Sequence, residues 1–181
     1  MDRRLGPEQW IDAGLRALAQ EGADAVRIER LAAKLHVTKG SFYWHFKDRG
    51  ALMAAMLEAW QARATHAVID EVEAKGGDAA ERLRTLFSIV FRIEGRLDRA
   101  IRAWAAQDEA AAKAQAAIDR RRLDYLTGLF REMAFSQAEA LGRARLVYHA
   151  LIGQFAMGEK VADAERLAEC LDIVHPMLVR R

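Results

Sequence analysis

A single cysteine, Cys170, is found among the 181 residues. No disulfide can form within the chain, and a reducing compartment is the expectation. Proline is nearly as scarce, with only Pro7 and Pro176, one near each end. Val, Ile and Thr together number 22, against 36 Ala. A chain so poor in β-branched residues, with a long proline-free interior, argues against a β-protein. Charge of one sign is also missing. Lys plus Arg is 28 and Asp plus Glu is 26, a net charge of +2. That balance excludes a polybasic tail protein, although not a locally basic face. No apolar run approaches the ~18 residues that a membrane-spanning helix needs. Met1 to Pro7 lead into no apolar h-region, so no secretory signal is expected. What remains is 52% hydrophobic and 30% charged, enough to bury a core and stay in solution. The expectation is an all-α, cytoplasmic protein without a membrane partner.

Helix boundaries are marked locally. Gly6 and Pro7 open a first helix through Trp10, Ala13, Gly14, Ala17 and Leu18, with Gly22 as its stop. Ile28, Leu31, Ala32 and Leu35 share one face of a short second helix. Thr38 is a candidate cap for a third, from Lys39 to about Phe46, with Phe42 and Phe46 facing inward. Asp48 opens a long fourth helix that runs toward Val72, and Gly76-Gly77 interrupts the pattern before Asp78 restarts it. Further stripes are Leu83–Leu86–Phe87–Val90, then Leu97–Ile101–Trp104, then a long helix capped by Asp108. Ser136 to Glu139 is a capping box; Gly158 closes the helix it opens, and Asp163 caps a last one. About nine helices result. The division expected is a first helical unit at 1–47 and a second at 48–181.

Residues 28–46 are two short helices joined by a tight turn. The outer face of the second carries Lys39, Gly40, Ser41, Tyr43, Trp44 and His45, with Lys47 just beyond. Cations, hydroxyls, a phenol, an indole and an imidazole are all groups that bond phosphate oxygens or base edges. The pattern is that of a helix-turn-helix whose second helix enters a major groove. An ordinary solvated surface is the competing reading, weakened by three successive rings that would stand in water.

The stretch Trp10 to Leu57, and above all Leu35-His36-Val37-Thr38-Lys39-Gly40-Ser41-Phe42-Tyr43-Trp44-His45-Phe46-Lys47-Asp48-Arg49, closely resembles the N-terminal domain of TetR-family transcriptional regulators. The resemblance covers about the first quarter of the chain. It implies a homodimer on a palindromic double-stranded operator, with a C-terminal domain that dimerises and binds a small-molecule effector. Carried over residue by residue, it implies that Thr38 and Ser41 touch phosphates and that Lys39 and Gly40 approach bases. Tyr43, Trp44 and His45 match ring positions that contact phosphate or thymine methyls, and Lys47 and Arg49 match backbone-clamping cations. Two positions depart from the pattern. Arg27 stands where Ser or Thr is usual, and Glu29 stands where the tetracycline repressor has a base-contacting arginine. Glu29 repels phosphate, so the second helix's contact is expected to pass to Arg27 or Arg30.

Elsewhere the sequence offers less. The five histidines lack metal-site spacing, and there is no phosphate loop or Ser/His/Asp grouping, so neither a metal, a cofactor nor an enzyme is expected. Trp60, Phe87, Phe91, Trp104, Tyr125 and Tyr148 fall at core spacing. They are read either as plain core or, with His149, as the lining of a cavity for a neutral or apolar effector. Leu141, Ala144, Tyr148, Leu151 and Phe155 on one helix, with Leu167, Leu171, Val174 and Leu178 on the last, are the expected dimer interface. On that view Leu171→Glu would split the dimer, and the fourth helix would act as a lever between effector and operator. The alternative function is a dimeric ligand-binding or adaptor protein whose N-terminal motif no longer reads DNA.

Overall fold

The computed structural model describes residues 5–158 and 164–180, and every regular element among them is helical. The α-helices are α1 (Pro7–Glu21), α2 (Ile28–Leu35), α3 (Lys39–Tyr43), α4 (Arg49–Gln61), α5 (Ala67–Lys75), α6 (Ala79–Val90), α7 (Arg96–Ala105), α8 (Glu109–Glu132), α9 (Gln137–Met157) and α10 (Ala164–Val179). A 3₁₀ turn, Ala23–Ala25, precedes α2, and a π turn, Ala62–His66, joins α4 to α5. The expected unbroken fourth helix is therefore interrupted, and no sequence signal marked the place. Counting α4, the π turn and α5 as one rod leaves nine. The expected cap at Asp163 lies outside the described residues. No helix among those described is long and apolar enough to cross a membrane.

Contacts group the chain into two compact units: Met1–Ala62 with Arg96–Ala116, and Arg63–Gly95 with Ala117–Arg181. These units do not follow the expected division at 47/48. In the first unit α1 packs on both α4 and α7, so a helix distant in sequence supports the N-terminal segment. The crossing of α1 and α4 is close, because a methyl group on Gly14 would lie 2.5 Å from Met56 Sδ. Trp10, Leu18, Leu31, Phe42, Leu52, Met56, Trp60 and Ile101 form the fully buried centre.

Caps explain most of the boundaries. Pro7 occupies the first turn of α1 and Gly22 ends it at φ 85°. His36 closes α2 in the left-handed region at φ 57°, which fixes the tight turn before α3. The expected cap at Thr38 is only positional, since its side chain makes no capping hydrogen bond. Asp48 Oδ1 accepts from Ala51 N at 2.8 Å. Asp48→Ala should lower stability by about 1 kcal/mol, measurable as a shift of the urea midpoint without change of slope. The boxes Asp78–Glu81 and Ser136–Glu139 are both closed by reciprocal bonds.

The second unit is centred on Val72, Leu83, Phe87, Leu129, Phe130, Ala144, Tyr148 and Leu171. Polar ties fix its helices. Arg82 donates to Glu73 at 2.9 Å and pairs with Glu132, and Tyr125 donates to Glu73 at 2.6 Å. Arg122 Nε donates to Thr65 Oγ1 at 2.9 Å, beside the π turn. Arg143 closes the end of α10 by donating to the Leu178 carbonyl at 2.7 Å.

Candidate nucleic-acid interface

Helix α3 is shorter than expected, ending at Tyr43 instead of near Phe46. Five residues cannot hold a helix alone, so packing holds it. Phe42 is wholly buried, meets Trp10 edge-on at 5.2 Å between centroids and stacks with Phe46 at 5.5 Å. With Phe42 and Phe46 inward, the neighbouring positions point outward. Thr38, Lys39, Gly40, His45 and Lys47 are exposed and Ser41 is half-buried. Tyr43 and Trp44 are 59% and 86% exposed. A large aromatic with most of its surface in water is the uncommon feature here, because burial of such a ring is strongly favoured.

The charged side chains of this face divide sharply. Arg49 is not a free clamp: Nε donates to the Val26 carbonyl at 2.6 Å and a terminal nitrogen to the Ala23 carbonyl at 2.8 Å. It ties the start of α4 to the turn before α2. Arg27 Nε donates to the Asp24 carbonyl at 3.0 Å. Arg30 pairs with Glu21 at 2.6 Å, and Lys34 joins the same carboxylate at 3.1 Å. These bonds hold the Glu21 carboxyl below its ordinary pKa. Lys39 pairs across the turn with Glu29 at 2.6 Å, and that bond lowers the Glu29 pKa in turn. Lys47 has no ion-pair partner among the described residues. His45 donates from Nε2 to the Leu5 carbonyl at 2.7 Å. No local pattern announces that tether, since Leu5 precedes the first helix.

Trp60 and Trp104 belong to the first unit, whereas Phe87, Phe91, Tyr125, Tyr148 and His149 belong to the second. Trp60, Phe87, Trp104 and Tyr148 are buried packing residues. Tyr148 donates to Asp119 at 2.6 Å. Burial, then the bond to Glu73, pushes the Tyr125 pKa far above its usual value, and His149 is exposed. A groove of about 500 Å³ lies elsewhere in the second unit, lined by Lys75, Glu81, Arg84, Thr85, Ser88 and Arg92 among others. Its lining mixes these polar side chains with Ala168 and Leu171 and includes none of those seven residues.

Of the expected dimer residues, Ala144, Tyr148, Phe155, Leu171 and Leu178 are buried within the single chain. Leu141 and Leu151 are half-buried, and the Leu167 side chain lies outside what the structure describes. Of that set only Val174 is exposed among the described side chains. The apolar surface actually presented comprises Leu146 and Met157 on α9 and Ile173, Val174 and Met177 on α10, between 39% and 70% exposed. Sequence reasoning found the inward stripe of each helix and missed the outward one.

Comparison with known proteins agrees with the N-terminal geometry. Residues 11–56 match the bacterial regulatory proteins of the tetR family. The chain is 38% identical over 66 residues to the class A tetracycline repressor protein from transposon 1721 of Escherichia coli, covering 36% of this chain and 31% of that one. It is 28% identical over 83 residues to the HTH-type transcriptional regulator AcrR of Shigella flexneri, covering 46% and 37% respectively. The matched stretch thus spans about a third of the length of these curated relatives. Over almost the full chain the fold is that of E. coli NemR in its reduced form, with a TM-score of 0.74, 22% identity and coverage of 92% of this chain and 96% of that one. A putative regulator of the TetR/AcrR family superposes at a TM-score of 0.75 and 17% identity, over 95% and 97% of the two chains.

Proposed function

This chain belongs to the TetR family through its N-terminal domain, and we propose on that premise that it is a cytoplasmic transcriptional repressor. Its homodimer binds a palindromic operator through residues 1–47, with α3 in the major groove. The observation that carries this reading is the outward display of Tyr43 and Trp44 beside Thr38, Lys39 and Lys47, on a helix that Phe42 alone anchors. Rings so exposed find partners in thymine methyls and phosphates. Thr38, Gly40 and Ser41 let the backbone approach the duplex, and Arg27 and Lys47 supply its cations. Arg49 and His45 act one step back, holding the turn before α2 and the entry to α1.

The second copy docks on the exposed apolar face of α9 and α10. Leu146 and Met157 are eleven positions apart, about three helical turns, and so lie on one side of α9. A Cβ on Gly142 or Gly153 would meet nothing within 4 Å, so the same helix leaves room for close approach. An effector that releases the operator would enter the groove of the second unit. Lys75, Arg84 and Arg92 there favour an acidic or phosphate-bearing molecule over the neutral one suggested by the aromatic residues.

Selection of genomic duplex fragments by the purified full-length protein, followed by footprinting, tests the operator reading. A two-fold symmetric protected site is expected. Trp44→Ala should leave thermal unfolding unchanged, because the ring is exposed, yet weaken the selected site about tenfold, roughly 1.4 kcal/mol. Equal affinity of wild type and variant for that site would remove the ring from the interface.

A further inference from the structure

The Glu29–Lys39 pair joins α2 to α3 at the centre of the face just described. Its two side chains are 60% and 56% exposed, with 2.6 Å between Oε1 and Nζ. An ion pair in that much water contributes little to stability, so the fold gives no strong reason for it. Its consequence is positional. A lysine ammonium is a point charge on a flexible stem and does not by itself discriminate among acceptors. Bound to Glu29, the Lys39 ammonium is fixed beside a carboxylate that can only accept. The other cations near α2 do not compete for this place, because Arg30 and Lys34 are drawn to Glu21 and Arg27 to the Asp24 carbonyl.

A donor fixed next to an acceptor matches one edge in the major groove. A G·C pair presents the guanine O6 acceptor adjacent to the cytosine N4 amino donor. We propose that Glu29 and Lys39 read a G·C pair as one composite head, Lys39 Nζ donating to guanine O6 and the Glu29 carboxylate accepting from cytosine N4. The inference rests on the operator reading above. Glu29 also selects by exclusion. It faces phosphate oxygens and the acceptor edges of wrong bases with like charge, which lowers affinity generally and raises the difference between sites.

Selection from a randomised duplex pool with full-length wild type, E29A and E29Q tests this. Wild type should require a G·C pair at one position of each half-site. E29A should lose that preference by about tenfold or more while binding unrelated duplex more tightly. E29Q should change the preferred base to adenine, because a glutamine amide both donates to N7 and accepts from N6. Circular dichroism confirms that each variant is folded, as substitution at an exposed position should leave it. An unchanged consensus in E29A, or in E29Q, overturns the pairing and reduces Glu29 to a repulsive surface charge. Wild type that selects no duplex at all overturns the operator reading and the pairing together.

Discussion

Operator affinity should fall about a hundredfold when salt is raised from 50 to 200 mM. Each phosphate neutralised by a cation releases condensed counterions, and the slope of log affinity against log salt is about −0.9 per phosphate. The structure limits which cations contribute. Arg30 and Lys34 are held by Glu21, and Arg49 by two backbone carbonyls. Arg27 and Lys47 remain in each copy, since Lys39 is paired with Glu29, so a dimer neutralises about four phosphates, fewer than the ~6–10 usual for such proteins. Lys47→Ala should flatten the slope by about two, one phosphate per half-site. Arg49→Ala provides the contrast. Removing its bonds to the Val26 and Ala23 carbonyls should lower stability by about 1–3 kcal/mol and leave the slope nearly as it was. Fluorescence anisotropy across the salt series reads both. A loss of less than tenfold over the range would mean that this face does not meet a duplex.

The two arginines show which features a sequence discloses. Positive charge at residues 27 and 49 is plain from the sequence, and the family resemblance assigns Arg49 to the backbone of DNA. What Arg49 does instead depends on carbonyls 23 and 26 positions earlier, brought near by the packing of α1 on α4. Caps were legible for the opposite reason. Asp48 with Ala51, Ser136 with Glu139 and the stop at Gly22 are all satisfied within a few residues, so local chemistry suffices to place them. The end of α3 was placed too late because Phe42 and Phe46 share a face whether the chain between them is helical or a turn. Phe46 N still donates to the Phe42 carbonyl at 3.0 Å, but as a single turn beyond Tyr43.

The π turn at Ala62–His66 had no local marker. One extra residue per turn leaves composition unchanged, and its visible trace is three-dimensional: buried Thr65, with Arg122 reaching it from α8. A rigid lever through residues 48–72 is therefore not a property that helical periodicity could establish. Likewise, apolar spacing tells that a helix face is buried without telling by what. On α9 and α10 it found the side that closes the second unit's own core. Leu146, Met157, Ile173 and Met177 fall off that stripe and are exposed in the single chain.

Two charge substitutions on α10 should therefore have opposite consequences. Leu171 is 4% exposed, among Val72, Leu83 and Phe87 of the same core, so Leu171→Glu places a carboxylate inside the chain. A carboxyl buried there would have its pKa raised by several units, since burial disfavours the ionised form. At 1.36 kcal/mol per unit, and with the loss of leucine burial added, the cost is on the order of 5 kcal/mol or more. That is comparable to the whole stability of a typical domain. The expected result is loss of helicity, with aggregation or degradation, rather than the folded monomer that sequence spacing suggested. Met177 is 70% exposed in the single chain, so Met177→Glu costs the fold little. In a two-fold interface the same face of both copies meets, and each new carboxylate would be desolvated without a counterion. Met177→Glu should stay as helical as wild type and sediment as a monomer at micromolar concentration. A folded, monomeric Leu171→Glu would restore the inward stripe as the interface, and a dimeric Met177→Glu would show that the exposed face of α10 takes no part in assembly.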